Sequence, residues 1–322
     1  MPLFFVVAGL FVGRSVRKPA RVFFADKGGS ILWPYVVWSL IHGVLTILLA
    51  RATGGTTRLT LVHLPRDIAL DPIAQFWFLY VLFMALACYW LLVRAGLAAW
   101  AILLVGVAML MMRTNINWNR VGLSFGDVRV SLGQWGPWFQ LLNYFLYMAL
   151  GAVAAGWLLS NMQRMRTWQA AIAGVAAAVA WGDPQWVRRD GAWSFGGWHI
   201  PVGVGLALVS VAGGLCVALL AERSGVLGVI RTCGQQSLAI FVMHVIFAAA
   251  IRSAMLKLGI RNFAVHLVVG VAVGTALPII AAALAHRAGL GLLFRLRPSP
   301  AASPPPDGPD VPRLPTTLTP QP

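Results

Sequence analysis

Met1-Pro2-Leu3-Phe4-Phe5-Val6-Val7-Ala8-Gly9-Leu10-Phe11-Val12-Gly13-Arg14 is the stretch on which the reading of the fold turns. No charge interrupts it before Arg14, and a basic cluster follows at once: Arg14, Arg17, Lys18, Arg21 and Lys27. A helix needs about 20 apolar residues to cross the hydrocarbon core of a bilayer, and this run supplies little more than half. A secretory signal places its positive region before the apolar run and a small-residue cleavage site after it. Here the order is reversed. The reading that fits is the distal half of a membrane span, with the first half expected upstream of Met1.

Composition extends that reading to the whole chain. Hydrophobic residues make up 59% and charged residues 11%, with a mean hydropathy of +0.78. Soluble domains carry about 25% charged residues, so that class is excluded. The net charge of +16 raises the question of nucleic acid, whose binding leaves a basic stripe. The 25 Lys and Arg residues are instead scattered through the short connections between apolar runs, as topogenic charge is. The expected partner is therefore the lipid bilayer and not nucleic acid. Cys88, Cys216 and Cys233 have no metal-ligand spacing and form no even framework. They read as small buried hydrophobes, and no metal site is expected.

Eight further apolar segments follow the run at 2–12: Ile31–Ala50, Ala74–Val93, Leu97–Met112, Trp138–Leu159, Trp168–Trp181, Ile200–Ala221, Ser237–Leu256 and Phe263–Ala285. Most have the length of a span; Trp168–Trp181 is short and Ala-rich. The predicted fold class is an all-α polytopic membrane protein with about nine transmembrane segments, the first one partial. Trp and Tyr gather near the segment ends: Trp33, Tyr35 and Trp38; Trp77 and Tyr80; Trp135 and Trp138; Trp181 and Trp186; Trp193 and Trp198. That pattern predicts an aromatic belt at the lipid–water boundary. Residues 1–297 form the predicted transmembrane domain. Residues 298–322 are rich in Pro, lack apolar periodicity and read as a disordered, polyproline-like cytoplasmic tail.

Orientation follows from Lys and Arg in the connections. With the Arg14–Lys27 connection taken as cytoplasmic, alternation puts Arg94, Arg164, Arg166, Arg223, Arg231, Arg287, Arg295 and Arg297 on the same side. Arg51, Arg58, Arg66, Arg113, Arg120, Arg129, Arg188, Arg189, Arg252, Lys257 and Arg261 fall on the other. The first group sits in shorter connections and is denser, which predicts a cytoplasmic C-terminus. Nine spans would leave the N-terminus outside; one more helix upstream would bring both ends inside.

The segments are poor in acids. Asp26, Asp67, Asp71, Asp127, Asp183, Asp190, Glu222, Asp307 and Asp310 all lie in connections, at segment edges or in the tail. An ion-coupled pump needs intramembrane carboxylates, so that class is disfavoured. What the segments do hold is histidine: His42 in Ile31–Ala50, His244 in Ser237–Leu256 and His266 near the start of the last. Burying an imidazole in lipid costs desolvation, so each is expected to face protein or a wet cavity. Such a His serves either as general base or proton carrier, or as a helix–helix hydrogen bond. Arg252, two turns beyond His244, is either a snorkelling anchor or a contact for an anionic or sugar substrate. The basic cluster is explained by topology alone. It equally suits the phosphates of a cytoplasmic polyanion such as coenzyme A.

Four motifs in order then resemble a known family. Met1-Pro2-Leu3-Phe4-Phe5-Val6-Val7-Ala8-Gly9 is similar to the second-span signature of the membrane acyltransferase-3 family. Lys27 through Trp33-Pro34-Tyr35 resembles the basic-then-Pro-Tyr approach to its third span. Phe76-Trp77-Phe78-Leu79-Tyr80 resembles its Trp-Phe-Leu motif. Gly234 and Ser237-Leu238-Ala239-Ile240-Phe241, followed by His244, resembles its late Gly, Ser-Leu, aromatic, His span. The resemblance covers about residues 1–285, and its nearest branch is the bacterial sugar O-acetyltransferases of the fucose 4-O-acetylase kind.

The resemblance implies ten helices in the bacterial inner membrane. It implies transfer of an acyl group, often acetyl, from cytoplasmic acyl-CoA to a hydroxyl of a sugar or glycolipid, with no cofactor bound. The family's associated base, a His preceded by an Arg, belongs to a first span expected upstream of Met1. Within this sequence His244 is the candidate catalytic His. Trp77, Arg252 and His42 are candidate substrate contacts, and Arg14, Arg17, Lys18 and Lys27 are candidate donor-phosphate contacts. Two other outcomes stay open at this stage: a transporter or flippase of a lipid-linked sugar, and a truncated, inactive relative.

Overall fold

The opening run forms a helix, α1 (Pro2–Val16), with Pro2 in its first turn, where the missing N–H costs nothing. After α1 the chain turns at Pro19 into α2 (Ala20–Lys27), a π-helical turn (Gly28–Leu32) and α3 (Trp33–Thr53). Pro34 has no N–H for the carbonyl four residues back, and the widened turn lies directly before it. The computed structural model describes residues 1–116, 122–125, 128–131, 136–182, 199–223 and 227–296. The remaining helices are α4 (Leu64–Leu70), α5 (Trp77–Arg94), α6 (Ala99–Asn115), α7 (Gly136–Arg164), α8 (Thr167–Gly182), α9 (His199–Arg223), α10 (Leu227–Gln235), α11 (Ser237–Lys257) and α12 (Phe263–Arg287). Between α6 and α7, strands β1 (Gly122–Phe125) and β2 (Val128–Ser131) pair antiparallel. The alternating Val128-Arg129-Val130 carries the period of a strand within the connection between two apolar segments.

Each of the nine apolar segments coincides with a helix, and the chain is an all-α polytopic membrane protein. Among the described residues, 6 stretches are long and apolar enough to span a bilayer: Ala20–Ala52, Ala74–Arg94, Gly136–Asn161, Val204–Ala221, Ser237–Lys257 and Phe263–Arg287. Ala99–Arg113 is a shorter apolar helix. The stretch expected to start at Ile31 is helical from Ala20, because the π turn joins α2 to α3 without a break.

Glycine sets the closest helix contact. A Cβ at Gly9 of α1 would collide with the Met148 carbonyl of α7, and one at Gly151 of α7 with the Val6 carbonyl of α1. Small residues let backbones meet where lipid supplies no hydrophobic drive between helices. Phe5 stacks on Tyr144 beside this contact, centroids 5.0 Å apart. Helix α4 folds back along α3: the Tyr35 hydroxyl donates to the Ile68 carbonyl. Helices α11 and α12 form a hairpin. Gly259 (φ +78) adopts the left-handed conformation past the end of α11. Asn262 caps α12, its Oδ1 accepting from the Ala264 and Val265 amides at 2.9 and 3.2 Å.

The basic connection and the C-terminal end of the described chain share one face. Arg94 at the end of α5 donates to the Lys18 carbonyl at 2.8 Å and lies over the Trp90 ring. The Leu296 amide donates to the Gly29 carbonyl at 3.0 Å. Trp33 and Trp38 give their indole N–H to the Leu292 and Leu293 carbonyls at 2.6 and 3.0 Å. Charge alternation predicted this grouping of Arg94 and Arg295 with the first basic cluster. The predicted aromatic belt needs correction here: Tyr35 and Trp38 are 2% and 6% exposed, so they pack inside the protein. Trp135, Trp186, Trp193, Trp198 and the Pro-rich tail lie outside the described residues.

Candidate active site

The seam between α11 and α12 opens into a cleft of about 590 Å³. His244 and His266 line it with Cys233, Ser237 and Thr275; aromatic and small residues, among them Phe4, Phe241 and Gly270, make up much of the rest. An apolar cleft with a few convergent polar groups is the usual form of a small-molecule site.

His244 is two turns into α11 and half-buried. Its Nδ1 faces the carbonyls of Ile240 and Phe241 on the same helix, at 3.0 and 2.8 Å. A carbonyl can only accept, so Nδ1 carries the hydrogen and Nε2 keeps the lone pair. That is the tautomer a general base requires. The next turn meets α12 through Gly274, where an added Cβ would lie 3.7 Å from the His244 carbonyl oxygen. A second imidazole enters from α12: His266 faces the Ile260 carbonyl through Nε2 at 2.8 Å.

His42 lies behind this wall. It is 7% exposed, and its Nε2 faces the Val242 carbonyl of α11 at 3.1 Å. Its ring meets Phe76 edge-on, centroids 4.7 Å apart. The structure thus ties His42 to the helix that bears His244, but His42 does not line the cleft. Trp77 is also outside the cleft, stacked on Tyr144 at 5.7 Å in an aromatic layer with Phe78. Phe78 joins that layer to Phe241. Arg252 is exposed on α11 and does not line the cleft.

The candidate phosphate contacts divide in two. Lys18 and Lys27 turn to one carboxylate, Asp26, at 3.0 and 3.9 Å, and Arg295 joins them at 3.2 Å. Arg14 and Arg17 are exposed, with no ion pair among the described residues. Asp26 as a hub was not visible in the sequence, where the acids were weighed only as possible intramembrane relays. Cys233, Ser237 and Thr275 had no site role in the sequence reading, and His266 was weighed there only alongside the other two histidines; the positions of all three histidines within apolar segments were the available signal.

Comparison with curated proteins and with solved structures returns no match. The family pattern described as an acyltransferase domain, acyltransferase-3 type, matches residues 1–283. That span includes α1, with its Met-Pro-Leu-Phe-Phe motif, and the whole α11 wall bearing His244. This chain is therefore a multi-pass membrane protein that belongs to the acyltransferase-3 family, and its activity is that of a membrane acyltransferase.

Proposed function

We propose that this acyltransferase moves an acyl group, acetyl in the simplest case, from acyl-CoA to a hydroxyl of a sugar or glycolipid in the bacterial cytoplasmic membrane. The observation that carries the reading is the His244 ring on the cleft wall, with Nδ1–H held by two carbonyls and the Nε2 lone pair left available. Nε2 takes the proton of the acceptor hydroxyl as its oxygen attacks the thioester carbonyl. The tetrahedral intermediate then collapses, the C–S bond breaks, and the departing thiolate recovers the proton from the imidazolium. The products are an O-acyl ester and free CoA. In this reading His42 supports α11 behind His244, and Trp77 supports the aromatic layer behind the cleft. Arg252 meets the acceptor at the far end of α11, and Arg14 and Arg17 meet the donor phosphates. Lys18 and Lys27 contribute there through the Asp26 network, and the dense basic face is the cytoplasmic one.

The test is acceptor acylation by purified protein supplied with acetyl-CoA and a panel of sugar and glycolipid acceptors. Wild type should form the ester, and His244→Ala should lower kcat by about 10²–10⁴, the usual contribution of a general base. Full ester formation by His244→Ala would remove His244 as the base. Movement of a lipid-linked sugar across vesicles with no ester formed would replace the enzyme reading by a flippase.

A further inference from the structure

Helices α7, α8 and α9 enclose a second cleft of about 510 Å³, formed away from the α11–α12 seam. Its floor is a separate small core of Ala170, Cys216 and Leu219, with Met165 and Ala173 packed on it. Its wall is almost wholly apolar, while Arg164, Asn161 and Gln169 stand at one end. Arg164 is exposed and has no carboxylate partner among the described residues. Arg166 is exposed nearby, and Arg223 reaches the Thr167 hydroxyl at 3.2 Å. Trp157, 68% exposed, lines the cleft, and Trp168, 57% exposed, precedes the lining residue Gln169 in α8.

A groove that is apolar along its length, with a guanidinium at its end that has no carboxylate partner among the described residues, matches a molecule with hydrocarbon chains and an anionic head. Exposed Trp beside Arg is the arrangement found where side chains meet the headgroup layer. An aqueous anion would need polar partners along the groove, and a neutral lipid would leave Arg164 uncompensated. We propose that the α7–α9 cleft binds one anionic phospholipid, its acyl chain along Leu215 and Leu219 and its phosphate at Arg164. This site is independent of the acyl-transfer reading, and neither requires the other.

The test is native mass spectrometry of detergent-purified protein titrated with phosphatidylglycerol or with phosphatidylcholine of the same chains. Wild type should hold one phosphatidylglycerol in preference to phosphatidylcholine, and millimolar inorganic phosphate should not displace it. Arg164→Gln should weaken that adduct about fivefold, the usual worth of one basic side chain at an anionic surface. Leu215→Trp, which fills the groove, should lose both lipids. Arg287→Gln, at the exposed end of α12, should change nothing. Equal retention of the two lipids would overturn the proposal, as would displacement by phosphate, an unchanged Arg164→Gln, or equal weakening by Arg287→Gln.

Discussion

At the scale of single residues, the chemistry of this protein rests on which nitrogen each histidine commits. His244 gives Nδ1–H to its own helix, and His42 gives Nε2–H to the carbonyl of Val242. Only the first of these lines the cleft. Gly270 offers a cleaner probe than either ring, because it borders the cleft and a Cβ there meets nothing within 4 Å. Gly270→Leu should leave the melting temperature unchanged or slightly higher, since leucine favours a helix over glycine by roughly 0.5–1 kcal/mol. The same change should lower kcat/KM by at least about tenfold if acceptor or acyl chain occupies the cleft. Unimpaired turnover by a folded Gly270→Leu protein would move the site elsewhere. The three histidines were visible in the sequence as polar residues inside apolar segments. Their division of labour was not, because tautomer and partner depend on the approach of a second helix.

At the scale of elements, the hardest contact is the one between α1 and α7. Its two glycines, Gly9 and Gly151, each face a backbone carbonyl of the other helix. Gly151→Leu should therefore force the helices apart, at about 1–3 kcal/mol for an overpacked site. The readout is thermal melting in detergent, with Gly156→Leu as the comparison, since a Cβ at Gly156 meets nothing within 4 Å. Equal melting of the two variants would show that the α1–α7 approach is not what holds α1. The helices themselves were legible from apolar run length. The π turn before Pro34 and the return of α4 along α3 were not, because each depends on local backbone demands that hydropathy does not register.

At the scale of the whole molecule, the basic face is tied together by Asp26 and by the segment after α12. Arg295 reaches Asp26, and the backbone at Leu296 joins Gly29. If that face is cytoplasmic, Arg17→Cys and Arg295→Cys in a cysteine-free protein should resist an impermeant maleimide on intact cells. Arg58→Cys and Lys257→Cys should react. Labelling of Arg17→Cys or Arg295→Cys at the rate of the second pair would reverse the orientation. The sequence by itself determined that this is a helical membrane protein with its cations in the connections, since lipid demands long apolar runs whose backbone groups are satisfied within the helix. It also carried the family motifs. Only the tertiary structure decided which faces meet: that His42 reaches α11, that His266 joins His244 in one cleft, and that three cations share one carboxylate. The physical reason is that helices apolar on every side carry no stripe to mark an inward face. In such a protein the inner surface is chosen by close packing and by a few polar groups.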